Sequence, residues 1–249
     1  MGEPGRRRIY LMRHGHVDYF ASDLSDPRGV PLTDEGRRQA DAAGRALANI
    51  DFEAAFFSGL PRTQETAEIV LKFHSNAPSL EAVEDLEELK SGWIKADSRE
   101  KLAAWLAYSF DGADADGATF LPEGELFTHA NKRVVRGIET IILQHSFKNA
   151  LVVAHEGVNR LLLSWVTGGG LKTIAAFEQD LACVNVIDID VSPAESGGGL
   201  HIERAVLRGM NITPYDYVKK GLSRSNLEHL FGVDFGGVRP EMPELPKMA

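Results

Sequence analysis

One cysteine, Cys183, stands in 249 residues, so no disulfide forms within the chain and no cysteine-based metal site can be built. That points to a reducing compartment, the cytoplasm. Long apolar runs are missing as well. Arg6-Arg7-Arg8 is followed only by Ile9-Tyr10-Leu11-Met12 before Arg13 and His14, which is too short for a signal peptide or a membrane span. Gly2 opens a myristoylation-like start, but Arg6 occupies the position where Ser or Thr is wanted. Basic residues are in deficit: 27 Lys and Arg against 36 Asp and Glu leave a net charge of −9. A nucleic-acid partner needs a basic surface, so it is not expected, whereas a local cluster of arginines can still hold a small anion. No signal of oligomeric state is legible. What the chain does have is 43% hydrophobic residues, enough at this length for one full-sized core.

Short apolar runs alternate with amphipathic stretches, the pattern of βα repeats around a parallel sheet. Ile9 to Met12 reads as a buried strand. Thr33 is placed to cap a helix that carries Asp34 and Glu35 in its first turn and Ala40, Ala43, Leu47 and Ile50 on its inner stripe. Ala54 to Phe57 reads as a second strand, and a helix follows from about Arg62 to Phe73. Ala150 to Ala154 is the strongest central-strand signal, with a helix from Val158 to Val166 behind it. Two late strands, about Cys183 to Ile189 and Ile202 to Leu207, flank the turn Ser196-Gly197-Gly198-Gly199. Residues 97–147 read as a mostly helical insertion, a lid over one edge of the sheet. The proline-bearing stretch 236–249 reads as a flexible tail. The expectation is a single α/β domain over 1–249.

Two of these strands run into a histidine: Met12 into Arg13-His14-Gly15, and Ala154 into His155-Glu156-Gly157. In open parallel sheets, ligand groups gather outside the carboxyl ends of the strands, so histidines far apart in sequence can face each other. The strand ending at Phe57 leads into Ser58-Gly59-Leu60-Pro61-Arg62, which sets Arg62 at a helix start, where both the helix N-terminus and the guanidinium favour phosphate. Two arginines and two imidazoles make a phosphoryl-transfer composition, in which a neutral imidazole attacks phosphorus and the guanidinium groups hold its oxygens. The leaving alkoxide then needs a proton donor, and Glu88 is selected, since burial tunes a carboxylic acid for that task.

The order of these blocks strongly resembles the histidine phosphatase superfamily, also called phosphoglycerate mutase-like. The resemblance rests on Arg13-His14-Gly15, on Pro31-Leu32-Thr33-Asp34-Glu35-Gly36 with Gln39-Ala40, and on Ser58 to Ala67. Leu86 to Trp93, Pro122-Glu123-Gly124-Glu125 and Val152-Val153-Ala154-His155 complete it, spanning about residues 8–160. It implies a three-layer α/β/α sandwich with a mostly parallel central sheet and a helical lid insertion. It implies His14 as the nucleophile that becomes phosphohistidine, with Arg13, Arg62 and His155 as the phosphate pocket. Glu88 becomes general acid and then general base. Gly15, Glu125 and Glu156 join Arg13, Arg62 and His155 as substrate-binding positions. The substrate is a small phosphorylated molecule, with phosphate ion as product, and no metal or organic cofactor is required.

Two departures bear on the activity. Mutases of the family usually read Glu-Ser-x-Trp-Asn after Arg-His-Gly, whereas this chain has His16-Val17-Asp18-Tyr19-Phe20. The mutase segment Glu-Arg-His-Tyr-Gly is Glu88-Leu89-Lys90-Ser91-Gly92 here, and paired arginines are lacking between Ser98 and Leu126. Hydrolysis is therefore favoured over a phosphoglycerate mutase. The other departure is Glu156, where the family often has Gly; a carboxylate there could repel substrate or select a cationic one.

Other readings compete. His14-Gly15-His16-Val17-Asp18 also spells a metallohydrolase-like His-x-His-x-Asp, but neighbouring arginines would repel a cation. A non-catalytic phospho-ligand binding module is the remaining class. Trp105, Tyr108, Phe110, Phe120 and Phe127 either line the lid over a leaving group or form the insertion's own core.

Overall fold

The computed structural model of the protein describes residues 3–19, 27–92, 99–195, 198–222, 224–225, 228–229 and 232–237. Several positions read from sequence lie outside the described residues: Phe20, Trp93, residues 97–98, the Ser196-Gly197 turn and the tail beyond 237. Within them run β1 (Gly5–Arg13), α1 (Asp34–Leu47), β2 (Ala54–Phe57), α2 (Pro61–Leu71), β3 (Leu80–Ala82) and α3 (Arg99–Ala107). After these come α4 (Phe127–Gln144), β4 (Asn149–Ala154), α5 (Glu156–Thr167), β5 (Val184–Pro193) and β6 (Leu200–Ile212). The strands form one sheet in the order β3-β2-β4-β1-β5-β6. The four strands from β3 to β1 pair in parallel, whereas β5 is antiparallel to both β1 and β6, so only β5 runs against the rest.

Alternation along the strands divides the interior. Tyr10 and Met12 of β1, with Leu151 and Val153 of β4, meet Ala43 and Leu47 of α1 and Ala67 and Val70 of α2. Ile9, Leu11, Ala150 and Val152 face the other way, onto Val134, Ile138 and Ile141 of α4 and Val158 and Leu161 of α5. A side-chain period of two in the strands against spacings of three and four in the helices builds three layers without any long apolar run.

Helix ends match their sequence signals. Thr33 caps α1, its Oγ1 accepting from the Gly36 N–H at 3.1 Å. Pro61 starts α2, where a missing N–H does no harm, and Gly168 ends α5 in the left-handed conformation. Strand β3 escaped sequence reading because three residues, two of them exposed, carry no apolar run. Parallel pairing to β2 holds it. In the stretch 97–147, α4 lays its buried face on the sheet, and Phe110, Phe120 and Phe127 pack against one another with centroids 5.5–6.3 Å apart.

At the sheet's other edge, Asp190 pairs with Arg6 and Arg204, and Asp188 pairs with Arg8 and Arg208, all at 2.6–2.7 Å. These two charged rungs tie β5 to both neighbours. The carboxyl ends of β1, β2, β3 and β4 open onto a common edge. The chain leaves them at His14, at Ser58 and through residues 83–92, and at His155.

Candidate active site

Register brings the two histidines together. Arg13 pairs with Ala154 across the β1–β4 ladder, so His14 and His155 leave the sheet side by side. Both are buried, with ring centroids 5.2 Å apart. His14 Nδ1 lies 2.8 Å from the Gly15 carbonyl oxygen. A carbonyl only accepts, so Nδ1 carries the proton and Nε2 keeps the lone pair. Burial first, then the charges of Arg62 and Arg13, hold this ring well below the ordinary imidazole pKa. The result is a neutral imidazole with its free lone pair among cations.

His155 is fixed from the opposite side. Its Nε2 is 2.7 Å from Ser58 Oγ, which is 2.9 Å from Thr63 Oγ1. Thr63 donates its single proton to the Leu60 carbonyl at 2.7 Å. Ser58 therefore donates to Thr63 and accepts from His155, which places the His155 proton on Nε2. Nδ1 is then a buried nitrogen with no hydrogen-bond partner among the described residues. Burial, Arg62, His14 and Arg13 in turn hold this ring well below its ordinary value.

Arg13 is buried. Its Nη1 donates to the Gln179 carbonyl at 2.6 Å and lies 3.1 Å from Glu156 Oε2. The Gln179 side chain is itself held by Asn159 and Asn185, three buried amides linked at 2.8–3.2 Å. Arg62, on the first turn of α2, is buried with Nη1 on the Arg28 carbonyl at 3.2 Å and its guanidinium 5.9 Å from the Tyr19 ring. Cys183 lies beneath, buried, with its thiol pushed up to about 12 by burial, so it is no nucleophile.

Glu88 comes from the segment after β3. Its Oε1 accepts from the Leu89 N–H at 2.9 Å and its Oε2 from the Gly157 N–H, in the first turn of α5, at 3.4 Å. Burial raises its pKa above the usual carboxylate value, with Glu156 adding to the rise and Leu89, Arg13 and Arg62 opposing it. Gly157 makes room: a Cβ there would sit 2.7 Å from Leu89 Cδ1 and 2.8 Å from Glu88 Oε1.

Arg133 of α4 holds this segment with every N–H it owns. Nε and Nη2 grip the two oxygens of Glu125 at 2.7 Å each, Nη1 donates to the Asp85 and Glu87 carbonyls at 2.8 Å, and Nη2 also reaches the Glu88 carbonyl at 3.3 Å. Burial alone would raise Glu125, but the Arg133 fork outweighs it and keeps the carboxyl below its usual range. Glu125 further accepts from the Lys90 N–H at 3.2 Å. Its oxygens thus face Arg133 and the Glu88 segment.

Glu156 sits between arginines, with Oε2 toward Arg13 and Oε1 2.8 Å from Arg160 Nη2, so its carboxylate is engaged by cations of the chain itself. Gly15 serves close packing: a Cβ there would lie 2.4 Å from the Gly36 carbonyl oxygen, and its N–H goes to Thr66 Oγ1 at 3.1 Å. His16 departs from His14, with Nδ1 2.8 Å from Thr33 Oγ1. The structure therefore gathers Arg13, His14, Arg62, Glu88, His155 and Glu156 in one place. It adds Tyr19, Ser58, Arg133 and Arg160, to which sequence reading gave no role. The Glu156–Arg160 pair, four apart on a helix, was a usable signal.

A strand-end imidazole pair among buried arginines on an open α/β sheet defines a phosphoryl-handling class of protein. The sequence model of the histidine phosphatase superfamily (branch 1) matches residues 9–195, and the chain belongs to that superfamily. It is 29% identical over 185 residues to an adenosylcobalamin/α-ribazole phosphatase of Escherichia coli, covering 74% of this chain and 90% of that one. It is also 29% identical over 199 residues to a 2-carboxy-D-arabinitol-1-phosphatase of Triticum aestivum, covering 75% of this chain and 38% of the relative. A match in Arabidopsis thaliana is likewise covered over 44% of its length, so the chain spans under half of these plant relatives. The crystal structure of the α-ribazole phosphatase from Shigella flexneri superposes with a TM-score of 0.59 at 25% identity, over 82% of this chain and 96% of that one. These relatives agree with the phosphatase class, and the superposition with the three-layer fold, that the sequence led us to expect. Among the described residues, no helix is long and apolar enough to cross a membrane.

Proposed function

We propose that the chain hydrolyses small phosphomonoesters without a metal, through a phosphohistidine on His14. The observation that carries this reading is the His14 ring itself: buried, neutral, with Nδ1 tied to Gly15 and Nε2 left as the nucleophile beside Arg13 and Arg62. Nε2 forms the N–P bond as the P–O ester bond breaks, and Glu88 gives its proton to the leaving oxygen. Water then attacks phosphorus, Glu88 takes up its proton, and the N–P bond breaks to release phosphate. Arg13 and Arg62 hold the oxygens whose charge changes during both steps, with the α5 N-terminus adding its dipole. Phosphate entering the pocket favours the protonated form of His155, whose Nδ1 then donates to it.

The names of the relatives, one for carboxyarabinitol 1-phosphate and one for α-ribazole phosphate, support a small organic alcohol phosphate as substrate. The single buried cysteine supports a cytoplasmic setting. The test is hydrolysis of p-nitrophenyl phosphate with and without EDTA, with vanadate as competitor, alongside His14→Ala. EDTA-resistant, vanadate-sensitive turnover that vanishes with His14 is expected. Turnover that survives in folded His14→Ala, or that EDTA abolishes, would overturn the mechanism, and isomerisation of phosphoglycerate would reassign the chain as a mutase.

A further inference from the structure

Glu156 carries a charge that the catalytic cycle above does not use. It is buried on the first residue of α5, 3.1 Å from Arg13 and 2.8 Å from Arg160. Burying a carboxylate with two guanidinium groups costs about as much as their attraction returns, so stability alone is a poor reason for it. Orientation of Arg13 is a poor reason too, since the Gln179 carbonyl already holds the same Nη1 at 2.6 Å. Arg160 is elaborately restrained. It donates to Glu156 and to Glu178 at 3.0 Å, to the carbonyls of Ile174 and Ala175, and stacks 4.7 Å from the Phe110 ring. The chain thus invests in fixing a negative charge at the rim of a phosphate pocket.

We propose that Glu156 is a built-in counter-charge that keeps the Glu88 carboxyl in its proton-donating form and loosens the pocket's hold on inorganic phosphate. Arg13 and Arg62 bring two positive charges and Glu156 removes one. Two arginines alone would only balance a bound phosphoryl dianion; with Glu156 the filled pocket is net negative, which disfavours a second carboxylate, and Glu88 stays protonated until its proton is needed. The groups facing Glu88 are Arg13 from β1, Arg62 from α2, Arg133 from α4 (on the Glu88 main-chain carbonyl), Glu156 from α5 and the Tyr19 phenol, together with the Leu89 and Gly157 N–H groups. Glu156 pushes toward the protonated acid, whereas Arg13 and Arg62 push the other way. The same charge weakens the grip on the product, an anion that keeps every phosphoryl oxygen the arginines hold.

The inference rests on the phosphatase reading, and its test separates the two. Glu156→Gln keeps the shape and one acceptor oxygen but removes the charge. Its kcat profile should lose activity on the alkaline side at lower pH than the wild type, and inhibition by inorganic phosphate should tighten by about tenfold. Glu156→Asp, which keeps the charge, should retain the wild-type alkaline limb even where its kcat falls. A wild-type chain that hydrolyses no phosphomonoester overturns the phosphatase reading. A wild type that turns over, with a Glu156→Gln limb that does not move and phosphate binding unchanged or weaker, overturns the counter-charge and leaves Glu156 as a support for Arg13 only. Calorimetric titration of phosphate into His14→Ala and into His14→Ala/Glu156→Gln reads the binding arm without turnover: tighter binding in the double variant supports the proposal, and equal or weaker binding overturns it.

Discussion

His14 and His155 stand one residue beyond the same rung of the β1–β4 ladder, with their rings edge-on at 5.2 Å. Two protonated imidazoles could not share that space beside two arginines, so each is held neutral and each is given its own tautomer. His14 takes its orientation from a carbonyl one residue on, and His155 from a hydroxyl chain formed by Ser58, just after β2, and Thr63 of α2. In the proposed mechanism this division makes the first ring the nucleophile and the second a ligand to the phosphoryl oxygens.

Removing the hydroxyl chain tests that division. Ser58→Ala deletes the acceptor for His155 Nε2 and leaves a buried N–H unpaired, a loss of about 1–3 kcal/mol. We expect kcat/KM for p-nitrophenyl phosphate to fall by about ten- to a hundredfold while the phosphoenzyme on His14 still forms. Phosphoenzyme trapping in that variant checks it, and complete absence of the intermediate would show that His155 does more than grip oxygens.

The pH dependence follows from two opposite shifts. The proposed mechanism needs His14 neutral and Glu88 protonated, yet an ordinary histidine is neutral only above about pH 6.5 and an ordinary glutamate protonated only below about pH 4.3. Burial lowers the first and raises the second, so the two requirements move toward each other and a working window opens. Activity is expected to fall on the acid side as His14 gains its proton and on the alkaline side as Glu88 loses its own. The kcat optimum for phenyl phosphate should lie on the acid side of neutrality; an alkaline optimum would remove Glu88 as proton donor.

Gly157→Ala probes the contact between α5 and the acid. The new methyl would press on Glu88 Oε1 and Leu89 Cδ1 at under 3 Å, and one of the two must give way. We expect kcat to drop by about tenfold or more with KM little changed, because moving either group shifts Glu88, which in the proposed mechanism acts on the leaving oxygen and not on the bound phosphoryl group. Steady-state kinetics with a poor leaving group, which needs the proton most, should show a larger loss than with p-nitrophenolate.

Much of this site could be read from the chain before any coordinates. Arg13, His14, Arg62 and His155 follow apolar runs or sit at a helix start, so strand and helix signals alone send them to one edge of the sheet. Glu88 was harder, because Glu84, Asp85 and Glu87 beside it look alike in sequence and only the fold selects one. Arg133 was invisible because three of its five bonds end on main-chain oxygens, which have no residue type. Tyr19 was missed because its partner Arg62 arrives through tertiary packing, whereas Arg160 offered its spacing of four from Glu156 and its Glu178 and Phe110 contacts needed the fold.

Arg133→Lys tests the largest of these omissions. A lysine keeps the charge but cannot reproduce a fork that serves Glu125 and three carbonyls together. We expect a loss of about 2–4 kcal/mol of stability, since a partly buried carboxylate and several carbonyls lose their partner. At a temperature where the variant is folded, kcat should fall more than KM rises. Thermal melts and kinetics on the same sample check both, and an unchanged kcat would free Glu88 from any dependence on Arg133.

The β1–β4 ladder joins residues 141 apart in the chain, from Arg8 with Asn149 to Arg13 with Ala154. Contacts of such long range are formed late in folding, after the loop between them has lost its freedom. Because the two imidazoles become neighbours only when that ladder is complete, turnover is itself a reporter of finished folding. During refolding, catalytic activity should return after helix content, on the timescale of the slowest cooperative step.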